Sequence, residues 1–185
     1  AFDGFVVESL NYLPFGYGFL NPKLSVRVSP RARFLLGLCF CEHCAHMAKA
    51  RGVDVARLCE DVRACLREHL NKLPDLTAQV EDTLEWRQSA FRGELQKYLD
   101  ARIEAATSLL EEVLALARAA RKRVGISIGD DPGVTGTDQN RVWPLVDETW
   151  VQVLPSTSLA ELNATLRGKR GCLPEHTRIY ALLQP

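Results

Sequence analysis

"FDGFVVESL", residues 2–10, is a β-branched and aromatic run without polar alternation. Such a run reads as a strand buried on both faces, the habit of parallel sheets. "RVGISIG" (123–129), "TWVQVL" (149–154) and "RIYALLQ" (178–184) have the same character. Four strands are therefore expected near 4–9, 124–129, 149–154 and 178–183, all parallel and in sequential order.

The segments between them carry helical periodicity. Ser29-Pro30 opens a helical stretch that runs in pieces to Ala50, and Gly52 ends it. Asp54 caps another from Val55 to about Leu70. Leu84, Phe91, Leu95, Leu99, Ile103, Leu110, Leu114 and Ala117 recur at steps of three, four or seven, so one amphipathic pattern spans Asp82 to Lys122, kinked at Gly93. Ser158 caps a shorter helix that is expected to stop at Gly168.

Strands alternating with helices in this way give the α/β class, with right-handed crossovers. The first and last strands are too apolar for comfortable sheet edges. The expected fold is parallel and TIM-barrel-like, the C-terminal half of a (β/α)8 barrel, a fold that needs roughly 250 residues when whole. Residues 1–185 are expected to be a single, incomplete domain with a helical insertion over 30–122. The strand-like run begins at Phe2, directly after Ala1, so the chain is expected to be a piece of a longer protein.

Lys plus Arg balance Asp plus Glu at 23 each, and zero net charge argues against a dedicated nucleic-acid binder. The apolar stretch from Leu10 to Pro22 is interrupted by Asn11, Pro14, Gly16 and Gly18, so no membrane span is expected. Six cysteines, three of them clustered, do not form the pattern of a secreted disulfide framework. A reducing, cytoplasmic setting is the simpler expectation. The sequon at Asn163 falls inside an expected helix and carries no weight.

In parallel barrels the functional groups gather where strands end. Glu8 and Asp130 stand at the ends of the first two strands, which are neighbours if the helices between them form one crossover. Two carboxylates roughly 5–9 Å apart are what glycoside hydrolysis requires. The plainer reading makes Glu8 an ion-pair partner and Asp130 a turn cap. Tyr12, Phe15 and Tyr17, in the loop after Glu8, suit stacking on a sugar ring, or equally a loop folded over its own aromatics.

Cys39, Cys41 and Cys44 bring three thiols together at a spacing that wraps one tetrahedral ion. Zn2+ suits this set better than an iron cluster, and the site would be structural. His43, His46, Cys59 and Cys65 are options for a fourth ligand, as is a residue outside the chain. The alternative is three free thiols packed on a small-residue helix face.

"CFCEHC" (39–44), followed by a helix and the Gly52-Val53-Asp54 step, comes shortly after a strand ending in Glu. This resembles the bacterial glycoside-hydrolase-like barrel proteins. More distantly, it is similar to the zinc-containing β-galactosidases with a C-x-C-x-x-C site. The resemblance covers roughly residues 2–125, and Trp86 to Leu95 is compatible with it. It implies that strand 2–10 is the fourth barrel strand, that Glu8 is the acid/base, and that the fourth zinc ligand comes from an earlier loop. Val7 stands where the family has Asn, and the seventh strand offers Gln184 in place of a nucleophilic glutamate. The resemblance thus implies a glycoside hydrolase acting on a carbohydrate substrate. Because the chain departs from the family at the nucleophile position, either another carboxylate such as Asp130 serves or catalysis has been lost. The alternative is a non-catalytic, metal-stabilised barrel module that binds sugar or protein.

Overall fold

A computed structural model describes residues 3–8, 12, 29–71, 82–127, 131–153 and 158–183. Four strands form one parallel sheet: β1 (Gly4–Glu8), β2 (Arg123–Ser127), β3 (Glu148–Val153) and β4 (Arg178–Leu183). Their order is β1-β2-β3-β4, and every neighbouring pair is parallel. The helices are α1 (Pro30–Leu36), α2 (Glu42–Lys49), α3 (Val55–Asn71), α4 (Leu84–Ser89), α5 (Glu94–Ala119), α6 (Pro132–Thr135), α7 (Gln139–Val142) and α8 (Leu159–Cys172). The chain divides into two compact units. The sheet unit holds 1–11, 106–132 and 137–185; the helical unit holds 12–105 and 133–136.

The sheet unit is built on strand parity. Val7, Ile126, Thr149 and Ile179 are in register and share one face. Val124, Ile126, Thr149 and Val151 on that face are buried, and the second half of α5 packs there through Leu110, Leu114 and Ala117. Thr149 escapes the cost of a buried hydroxyl by donating to the Ile126 carbonyl at 3.0 Å. Asp147 ties the strand starts together: its carboxylate accepts from the Val124 N–H at 2.9 Å, and its carbonyl accepts from the Arg178 N–H at 2.9 Å.

The opposite face carries Val6, Gly125, Glu148 and Arg178 in register, with Trp150 and Tyr180 paired one step further on. Here Val6 is 51% and Tyr180 38% exposed. The Trp150 and Tyr180 rings stack at 5.5 Å and 22°. Gly125 is required beneath them, because a Cβ there would lie 2.0 Å from the Trp150 ring.

In the helical unit, Ser29 caps α1 by accepting from the Ala32 N–H, with Pro30 at the first helical position. Thr83 caps α4 in the same manner. Asp54 accepts from the Arg57 N–H at 3.1 Å and so opens α3. Leu35, Leu58, Leu95, Tyr98 and Leu99 are fully buried at the centre of the core. Arg87 is buried too, paired with Asp82 and lying 4.0 Å over the Phe34 ring.

Two helix boundaries differ from the sequence expectation. The pattern from Asp82 breaks into two helices, because Phe91, Arg92 and Gly93 all adopt left-handed backbone, with φ of 52°, 63° and 80°. Only the glycine of that turn is legible in the sequence. The last helix does not stop at Gly168 but runs on to Cys172. A side chain at Gly168 would meet nothing, and Arg170 fastens the helix end by donating to the carbonyls of Pro174 (3.1 Å) and Thr177 (2.8 Å).

Candidate metal centre

The loop between α1 and α2 presents the three cysteines. Gly37 ends α1, and Cys41 takes extended backbone (φ −65°, ψ 167°) as the N-cap of α2. Cys44 lies one turn into α2, so the cap geometry itself folds Cys41 back toward Cys44. The Sγ atoms of Cys39, Cys41 and Cys44 all lie within 4.8 Å of one another. Among the described residues this is the one group of three or more His, Cys, Asp or Glu with that convergence. The local options for a fourth ligand are not part of it. Cys65 instead sits 3.7 Å from the His69 ring nitrogen, within α3.

The three thiols differ in setting: Cys44 is buried, Cys39 partly so and Cys41 exposed. Burial pushes the Cys44 thiol up to about 11, with the neighbouring sulfurs adding to the rise. The Cys41 thiol is drawn down to about 7, first by the Cys44 backbone N–H at the start of α2 and then by the thiols of Cys39 and Cys44.

Three residues distant in sequence support the loop. The Tyr98 hydroxyl donates to the Cys39 carbonyl, and its ring stacks on Phe40 at 5.0 Å. The Tyr12 hydroxyl meets the Cys44 Sγ at 3.7 Å, while its backbone N–H donates to the Thr135 carbonyl at 2.8 Å. Arg102, only 3% exposed, lies 3.9 Å over the Tyr12 ring. Burial raises the Tyr12 phenol to about 12, so it stays protonated and can donate to a thiolate.

The donor set fits a thiophilic divalent ion. A tetrahedron with Zn–S bonds of about 2.3 Å has edges of about 3.8 Å. The widest pair allowed by the 4.8 Å limit therefore needs to close by no more than about 1 Å.

Among the strand-end candidates, Glu8 ends β1 in register with Ser127 of the adjacent β2. Asp130 lies outside the described residues, as do Phe15, Tyr17 and the Glu8 side chain. Tyr12, expected at a sugar-binding rim, is placed against Cys44. No helix among the described residues is long and apolar enough to cross a membrane. No protein-family model, curated protein or solved structure matches the chain.

Proposed function

We propose that the chain is a metal-stabilised module, in which Cys39, Cys41 and Cys44 hold one Zn2+ as a structural ion in the helical unit. The convergence of the three sulfurs carries this reading. Three thiolates cross-link α2 to the loop before it, a stretch otherwise fastened by few buried side chains, so metal binding supplies folding energy directly. The Tyr12 hydroxyl on Cys44 is the outer hydrogen bond that such thiolates commonly receive. Cobalt substitution is the test: three thiolates on Co2+ give intense sulfur-to-metal absorption, lost in Cys44→Ser. A protein that takes up no cobalt under reducing conditions contradicts the proposal.

A second reading places this module in a barrel that acts on carbohydrate. It is supported by the strand order, since doubly wound sheets reverse direction at a switch point and barrels do not. It is also supported by the sheet face on which Val6 and Tyr180 stay exposed, the face that lines the interior of a closed barrel. In this reading the sheet is the C-terminal half of a (β/α)8 barrel of glycoside-hydrolase type, and strands outside these 185 residues complete it. Glu8, at the end of β1, protonates the leaving oxygen of a glycoside, and Asp130, three residues past β2, is the second carboxylate. Glu8→Gln is then expected to slow aryl glycosides with poor leaving groups far more than those with good ones. Equal loss on both substrates contradicts that role and leaves the non-catalytic module.

A further inference from the structure

We infer that Arg102 is the counter-charge of the metal centre, a buried guanidinium whose anionic partner is the thiolate cluster once it holds its ion. The inference rests on the zinc reading above and names a residue outside the ligand set that tunes its affinity.

Arg102 lies within α5 and is only 3% exposed. A guanidinium keeps its proton inside a protein, so its burial calls for a compensating anion. Among the described residues no carboxylate pairs with it, and its Nε finds no hydrogen-bond partner. Arg87 shows the contrast: it is 7% exposed, lies over the Phe34 ring, and is paired with Asp82 as well. Arg102 has the aromatic half of that arrangement, the Tyr12 ring at 3.9 Å, without the carboxylate.

The ring that Arg102 covers leads to the cysteines. The Tyr12 hydroxyl meets Cys44 Sγ at 3.7 Å, so the guanidinium carbon is at most about 10 Å from that sulfur. Helical spacing places the charge there. Tyr98, four residues earlier and so on the same face of α5, donates its hydroxyl to the Cys39 carbonyl. One turn of α5 thus serves the Cys39 end of the cluster with Tyr98 and the Cys44 end with Arg102.

Metal binding changes the charge beside Arg102. The ion takes thiolates, so three cysteines and a neutral fourth ligand on a divalent metal carry one net negative charge. Loading the site therefore supplies the anion that Arg87 has permanently, and stripping it leaves the buried cation uncompensated. Across about 10 Å, at an effective dielectric constant of about 20, such a pair changes metal affinity roughly tenfold.

The test is chelator competition for Zn2+ on the 185-residue chain under reducing conditions, with urea unfolding of the metal-free protein beside it. Arg102→Met removes the charge and keeps a long apolar side chain; Arg102→Lys keeps the charge. Arg102→Met should bind zinc roughly tenfold more weakly, and Arg102→Lys should retain most of the parent affinity. Metal-free Arg102→Met should be at least as stable as the metal-free parent, because an uncompensated buried charge is gone. Unchanged affinity in Arg102→Met, or an equal loss in both variants, overturns the inference. Loss of the fold in both Arg102→Met and Arg102→Gln makes the residue a packing group and overturns it as well. A parent chain that takes up neither zinc nor cobalt overturns the metal centre itself, a failure visible before any variant is compared.

Discussion

Replacing Gly125 by alanine adds one methyl group where the sheet has no room. The new Cβ would stand 2.0 Å from Cζ3 and 2.2 Å from Cη2 of Trp150, against a normal carbon contact of about 3.5–4.0 Å. About 1.5 Å of separation must be found. If the Trp150 ring supplies it, the stack on Tyr180 is disturbed, a contact worth about 0.5–1.5 kcal/mol beyond its buried area. If β2 supplies it, the buried packing of Val124 and Ile126 against α5 is strained, and overpacking of this kind costs about 1–3 kcal/mol. Against either stands a gain of about 0.5–1 kcal/mol, because alanine in a strand gives up less chain entropy than glycine. With β2 bearing the strain, the net expectation is a loss of about 1 kcal/mol, which lowers a urea midpoint by about 0.5 M for a slope near 2 kcal/mol/M. Urea unfolding followed by circular dichroism measures it. Gly125→Ala in a Trp150→Ala background should recover most of the loss, since the methyl then enters the space left by the ring. A Gly125→Ala protein as stable as the parent, or more so, would refute the register of β2 against β3.

Ser158→Ala should cost about 1 kcal/mol of α8 stability, because the hydroxyl accepts from the Glu161 N–H in a reciprocal capping box. The partner carboxylate of Glu161 is held below its usual 4.5, chiefly by the Ser158 backbone N–H. Its contribution is therefore complete above pH 4.5 and fades as the pH falls through the folded value, visible as a urea midpoint that drops on acidification and less so in Glu161→Gln. Metal affinity should climb with pH from 6 to 9: the Cys44 thiol is raised to about 11, so binding must expel its proton, and chelator competition at several pH values reads the slope. Tyr12→Phe should weaken zinc binding about tenfold or more while leaving the helix content unchanged, because it removes only the hydroxyl that meets Cys44. An unchanged affinity would reduce Tyr12 to a packing residue.

The strands were legible because each is an apolar, β-branched run whose character does not depend on its neighbours. Their parallel direction followed from the helices between them, which make crossover connections, and the order β1-β2-β3-β4 is the sequential one that neighbouring strands usually take. The cysteine spacing was equally readable, since Cys41 and Cys44 are brought together by one turn of α2 and its cap. What supports the cluster was not. Tyr12 and Tyr98 lie 32 and 59 residues from their partners Cys44 and Cys39, and only the tertiary fold delivers them. The same holds for the end of α8, where Arg170 reaches carbonyls in the following loop, and for the turn at 91–93, where two non-glycine residues adopt the left-handed region. Trp150 over Gly125 is a fact of register that neither residue announces in the chain.

The central claim is the metal centre, and metal content tests it most directly. Protein purified under reducing conditions without chelator should carry one zinc per chain by elemental analysis. Cys39, Cys41 and Cys44 should then resist alkylation until the metal is stripped, while the exposed Cys172 reacts at once. Zinc-free protein of unchanged helix content, with the exposed Cys41 alkylating as readily as Cys172, would contradict the account and make the three thiols ordinary packing.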